Sequence, residues 1–158
     1  MGDPRGRIRV SDFSVDTVIC TESAAETYAL GVQVAEKLQA GDLVALVGDL
    51  GAGKTVFAQG LAHGLGVSDD TVVRSPTYTL FHQYQAPKPF LHIDLYRIGD
   101  PEEVESLGLL DELPGYVVAV EWFERADDFL GTPRLKVTIQ DTPAEPTRRQ
   151  IELTWRAA

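Results

Sequence analysis

Two stretches of the chain are apolar at every position, LVALV (43 to 47) and YVVAV (116 to 120). Runs of this length without alternation predict short strands buried on both faces. A different period precedes the first. Tyr28, Gly31, Ala35 and Leu38, flanked by Leu30 and Val34, recur at helical spacing and predict a helix to about Leu38, ended by Gly41. Ser23 with Glu26 three positions later fits a capping box at its start. KTVFAQGLAHGL (54 to 65) predicts a second helix with Phe57, Leu61 and Leu65 on one face.

Strands are expected at 15 to 20, around Val72 and Val73, from Tyr78 to Tyr84, and across PFLHIDLY (89 to 96). A short helix is expected after Pro101, with Asp100 as its cap. Two more strands, Leu135 to Ile139 and Gln150 to Trp155, flank the polar turn DTPAEPT. Strands in direct succession imply antiparallel pairs, so the sheet is expected to be mixed.

The 158 residues suit a single domain. No apolar run is long enough to span a bilayer, and MGDPRGRIRV lacks a signal-peptide core, so a cytoplasmic location is expected. The lone cysteine, Cys20, reads as a small buried residue, and His63, His82 and His92 are too far apart for a local metal motif. Of the formal charge of -10, the segment from Asp94 to Glu124 carries most, with nine carboxylates against Arg97. That balance argues against unaided nucleic-acid binding, which needs Lys and Arg facing phosphates. A solvated acidic face is the plainer reading, and a surface for a basic protein the alternative.

Between the first buried strand and the second helix stands GDLGAGKT (48 to 55), which satisfies G-x-x-x-x-G-K-[ST]. Its glycines let backbone N–H groups turn around a phosphate, Lys54 adds positive charge, and Thr55 offers a hydroxyl to Mg²⁺. The helix start also directs its positive end at the anion. A second oxygen ligand for Mg²⁺ is expected at the end of a neighbouring strand, and Asp94 and Glu121 compete for it. Local pattern favours Glu121, which closes an uninterrupted apolar run. RSPTYTLF (74 to 81) reads either as a γ-phosphate-sensing segment or as a turn into a strand. Trp122 reads as a packing residue or as a platform for a base.

GDLGAGKT, SPTYTL, HIDLYRI, PEEVESLGL and VEWFER stand in the order and spacing of the TsaE (YjeE) family. The chain thereby resembles small bacterial P-loop ATPases of tRNA threonylcarbamoyladenosine biosynthesis. The resemblance implies an α/β fold, a P-loop NTPase-like three-layer sandwich with a mixed parallel and antiparallel central sheet. It implies ATP and Mg²⁺ as cofactors, with Lys54, Asp94 and Glu121 in catalysis and Thr55 and Glu121 as metal ligands. Asp49, Gly51, Ala52, Gly53, Lys54, Thr55, Val56 and Trp122 would line the nucleotide. The implied partners are the TsaD and TsaB proteins, with tRNA reached through them and with neither DNA nor membrane involved. Phe123 and Val56 depart from the family's usual proline and threonine. Arg148 or Arg149 is a further candidate for the nucleotide, against a plain solvated basic pair.

Two other functions fit the loop. A small-molecule kinase would need a lid with several arginines, whereas Arg74, Arg97, Arg125 and Arg134 are scattered singly. A nucleotide-gated assembly module, in which hydrolysis is incidental, would have nearly the same sequence. A GTPase is disfavoured, because no N-K-x-D surrounds Lys37, Lys54, Lys88 or Lys136.

Overall fold

The structure is a computed structural model that describes residues 16–49, 51, 53–76 and 79–156. In chain order its elements are β1 (Thr17–Thr21), α1 (Ala24–Ala35), β2 (Leu43–Val47), α2 (Lys54–Leu65), β3 (Phe81–Tyr84) and β4 (Phe90–Asp94). There follow α3 (Glu102–Ser106), β5 (Val117–Glu121), α4 (Asp127–Leu130), β6 (Leu135–Asp141) and β7 (Arg149–Trp155). All seven strands share one sheet, ordered β1-β7-β6-β2-β5-β4-β3.

The four inner strands β6, β2, β5 and β4 are mutually parallel, while β3, β7 and β1 add by antiparallel pairing. The expected mixed sheet is therefore present, and β2, which leads into the glycine-rich loop, lies at its centre. Residues 43 to 46 of β2 are all buried because both faces of the sheet are covered. On one face α1 and α2 bring Leu30, Val34, Phe57, Leu61 and Leu65 against Val44, Leu46, Ala119 and Val137. On the other, Val104 of α3 and Leu130 of α4 pack with Leu91, Ile93, Val118 and Val120. This is the three-layer α/β sandwich.

The two helices of the first layer meet backbone to backbone. A methyl group added at Gly60 would lie 2.1 Å from the Tyr28 carbonyl oxygen, and one at Gly31 2.5 Å from that of Phe57. Nothing but a hydrogen fits at either position, so α2 is seated on α1 without an intervening layer of side chains.

Several expectations are corrected. Val72 and Val73 form no strand: Val72 is 65 % exposed, and the Val73 carbonyl accepts from Gln59 Nε2 (2.8 Å) in place of a ladder partner. Helix α1 ends at Ala35, not Leu38, because the next amides bond three residues back, Lys37 to Val34 and Leu38 to Ala35. Ser23 Oγ does accept from the Glu26 amide, but Glu26 Oε1 accepts from the Glu22 amide, one residue before the cap. Strand β3 begins at Phe81, and Thr77 and Tyr78 lie outside the described residues. Cys20 is exposed, because burial alternates along β1: Ile19 and Thr21 face the core and Cys20 between them faces out. Asp100 does cap the short helix after Pro101, accepting from the Glu102 amide at 3.0 Å. Among the described residues no helix is long and apolar enough to cross a membrane.

Candidate functional site

Strand β2 delivers the chain to Gly48 and Asp49 at the C-terminal edge of the sheet, and α2 starts at Lys54. Gly53, which precedes the helix, has φ 111° and ψ 13°, a left-handed conformation that a side chain would disfavour. Ala52, expected among the phosphate-lining residues, lies outside the described residues. Lys54 is 4 % exposed. Its ammonium donates to the Gly48 carbonyl and stands 3.8 Å from the centroid of the Trp122 ring. Burial lowers its pKa from the ordinary 10.5, against the opposite pull of Glu121, Asp94, Glu124 and Asp49, in that order.

The parallel pairing brings both competing carboxylates to this edge. Glu121 is level with Leu46 of β2 on one side and with Asp94 of β4 on the other. Glu121 is thus on the strand beside that of the loop, and Asp94 one strand further out; they are 3 % and 2 % exposed. Thr55 Oγ1 stands 3.5 Å from Glu121 Oε1. The other oxygen, Oε2, accepts from His92 Nε2 at 2.6 Å. Asp94 accepts from Ser75 Oγ at Oδ2 (3.0 Å) and from the Tyr96 amide at Oδ1 (2.8 Å). Ser75 belongs to the segment after α2 that the sequence marked, and the Asp94 amide in turn donates to Leu80 at its far end (2.9 Å).

Gly51, Gly53, Lys54, Thr55, Val56, Ser75, Asp94, Glu121 and Trp122 enclose a cavity of about 230 Å³. Its donors for a cation are all oxygen, the set that Mg²⁺ prefers. Adjacent ligands of an octahedral Mg²⁺ stand about 2.9 Å apart for metal–oxygen distances of about 2.0–2.1 Å, so Thr55 and Glu121 need close by only a fraction of an ångström. Among the described residues no three His, Cys, Asp or Glu side chains form a metal cage of their own.

Trp122 forms part of the cavity wall. It has φ 60° and ψ 39°, which for a non-glycine residue stores on the order of 1–2 kcal/mol of strain. The conformation lays its ring beneath Lys54 and beside Tyr96, with ring centroids 5.2 Å apart. The Arg125 guanidinium stands over both rings, 5.6 Å from Trp122 and 5.7 Å from Tyr96. Phe123 opens the short 3₁₀ turn that carries Arg125 and packs against the second core.

A second cavity of about 250 Å³ shares Gly51, Gly53 and Val56 with the first and is completed by Ala24, Thr27, Pro146, Thr147 and Arg149. Arg149 bridges Asp141 (3.2 Å) and the Gly51 carbonyl (3.4 Å), so it reaches the loop. Arg148 does not reach it; it pairs with Glu145 (3.0 Å) and Glu22 (3.7 Å). Asp49 is exposed and lines neither cavity. His92 is not among the site residues expected from the sequence. The available signal was a histidine inside an apolar strand run, two positions before Asp94 and so on the same sheet face.

The profile of the family described as "Threonylcarbamoyl adenosine biosynthesis protein TsaE" matches residues 21–151. The chain is 39% identical over 154 residues to a protein of Nostoc sp. named "tRNA threonylcarbamoyladenosine biosynthesis protein TsaE", covering 92% of this chain and 91% of the relative. It is 39% identical over 136 residues to the Bacillus subtilis protein of the same name, covering 85% and 82%. The crystal structure of Bacillus subtilis YdiB superposes with a TM-score of 0.74 at 32% identity, over 90% of this chain and 86% of that one. A P-loop fold, the loop at its central strand and a profile match across most of its length place this chain in the TsaE family.

Proposed function

We propose that the protein binds and slowly hydrolyses Mg²⁺-ATP, and that this cycle resets a TsaD/TsaB complex that transfers threonylcarbamoyl to adenosine beside the anticodon of tRNA. The observation that carries the chemistry is the meeting of buried Lys54, Asp94 and Glu121 with half-buried Thr55 in one cavity at the N-terminus of α2. The names of the relatives support the pathway.

Thr55 and Glu121 would hold Mg²⁺, which when bound offsets phosphate charge. Lys54 exchanges the Gly48 carbonyl and the Trp122 ring for phosphate oxygens. Asp94, fixed by Ser75 and the Tyr96 amide, orients the attacking water and accepts its proton. The water oxygen bonds to the terminal phosphorus while the bond to the bridging oxygen breaks, giving ADP and phosphate. The second cavity takes the nucleoside end, with Arg149 at its wall. The acidic segment from Asp94 to Glu124 leaves RNA contact to the partners.

Among the described residues lining the first cavity there is no arginine. A missing transition-state cation costs on the order of 10³-fold or more, so turnover is slow in isolation. The same observation favours a second reading, in which ATP binding alone orders the assembly. Multiple-turnover modification of tRNA in a reconstituted system tests both. Equal yields with Lys54→Ala and the unaltered chain refute the proposal, and full yield with a non-hydrolysable analogue selects the second reading.

A further inference from the structure

We infer that His92 is a positioning residue that sets how Glu121 is presented to the bound Mg²⁺, and so sets how strongly the metal tightens nucleotide binding. This rests on the Mg²⁺-ATP reading above. His92 lies in the middle of β4, is 0 % exposed, and faces α2 together with Phe90 and Asp94. Its ring ends a stack. Tyr84 and Phe90 lie 5.9 Å apart at 22°, and Phe90 and His92 6.0 Å apart at 23°, which fixes the plane of the imidazole. In that plane Nε2 meets Glu121 Oε2 at 2.6 Å, while Nδ1 is buried with no hydrogen-bond partner among the described residues.

The orphaned nitrogen settles which way the hydrogen bond runs. A proton on Nδ1 would be a buried donor without an acceptor, and it would set the Nε2 lone pair against a carboxylate oxygen. A proton on Nε2 leaves Nδ1 a bare acceptor and satisfies Oε2. Glu121 then cannot turn about its last torsion, and Oε1 stays on the Thr55 side. A ring buried for packing alone would be better as phenylalanine, which continues the stack and carries no polar atom to bury. The polar ring is placed where it acts on the carboxylate next to the ion, as partners of metal-ligating groups do.

The test is calorimetric binding of ATP and ADP to the full chain, with Mg²⁺ and with the metal chelated, for the unaltered protein, His92→Phe and His92→Gln. The magnesium-free affinity of His92→Phe is expected to match that of the unaltered chain, while the gain on adding Mg²⁺ falls by about 10- to 100-fold. His92→Gln keeps an N–H donor at similar reach and is expected to recover most of that gain. Nitrogen NMR of the ligand-free unaltered chain is expected to find the His92 ring proton on Nε2. A folded His92→Phe with an unchanged magnesium-dependent gain overturns the inference, as does a ring proton on Nδ1. An unaltered chain whose nucleotide affinity ignores Mg²⁺ overturns the metal-nucleotide reading and the inference with it. Should His92→Phe not fold, the position of the ring proton decides alone.

Discussion

Gly60→Ala tests the seat of α2 directly. In an isolated helix the change would stabilise by about 1 kcal/mol. Here the new methyl would lie 2.1 Å from the Tyr28 oxygen and 3.1 Å from the Gly31 Cα, both backbone atoms of α1. Carbon–oxygen contacts settle near about 3.3 Å, so the helices must part by about 1.2 Å along that line. Overpacking of this kind costs about 1–3 kcal/mol, and the upper end applies because a helix backbone cannot rotate away as a side chain can. Net of the propensity gain, the loss is about 2 kcal/mol, a fall in Tm of about 4–8 °C for a chain of this size. Urea denaturation and calorimetry measure it. Gly115→Ala, where nothing lies within 4 Å, is the control and is expected to be neutral or slightly stabilising. Gly31→Ala should behave like Gly60→Ala, and the double variant should lose less than the sum, because one separation relieves both contacts. A Gly60→Ala chain as stable as the parent, or more so, would refute the backbone-to-backbone seat.

Lys54→Met addresses the buried ammonium. A lysine whose folded pKa lies below 10.5 binds fewer protons folded than unfolded, so the parent should gain stability relative to the variant as pH rises from the folded pKa toward 10.5. Paired urea titrations across the alkaline range measure this, and a flat or falling difference would contradict it. Arg149→Ala should weaken ATP about tenfold, the worth of one charge-assisted contact, while leaving pyrophosphate affinity unchanged; equal losses for both would remove the nucleoside from the second cavity.

What the sequence discloses divides along physical lines. LVALV and VVAVE are legible as buried strands because burial on both faces requires every residue to be apolar, and α2 was legible to its last residue from Phe57, Leu61 and Leu65. The loop chemistry is local, and local spacing reports it. Local pattern favours Glu121 over Asp94 but cannot show that the two stand side by side, because their separation is set by strand order: β4 pairs with β5, and parallel register aligns the two carboxylates. The bonds from Ser75 to Asp94 and from His92 to Glu121 join residues distant in the chain, so no periodicity carries them. Val72 and Val73 misled because β-branched residues mark strands only where a neighbouring strand exists to pair with, and here Gln59 of α2 takes the Val73 carbonyl.

The central place of β2 has a consequence for hydrogen exchange. Its amide and carbonyl groups are bonded to β5 on one side and β6 on the other, whereas β1 and β3 are edges. Edge amides are free to open locally, but those of Val44 to Leu46 are released only when the sheet as a whole comes apart. A ligand held at the loop binds the folded state alone, so it slows exchange in β2 by the full factor of its binding and leaves locally opening edges nearly unchanged. The strand that delivers the loop is thereby a built-in gauge of what the loop has bound.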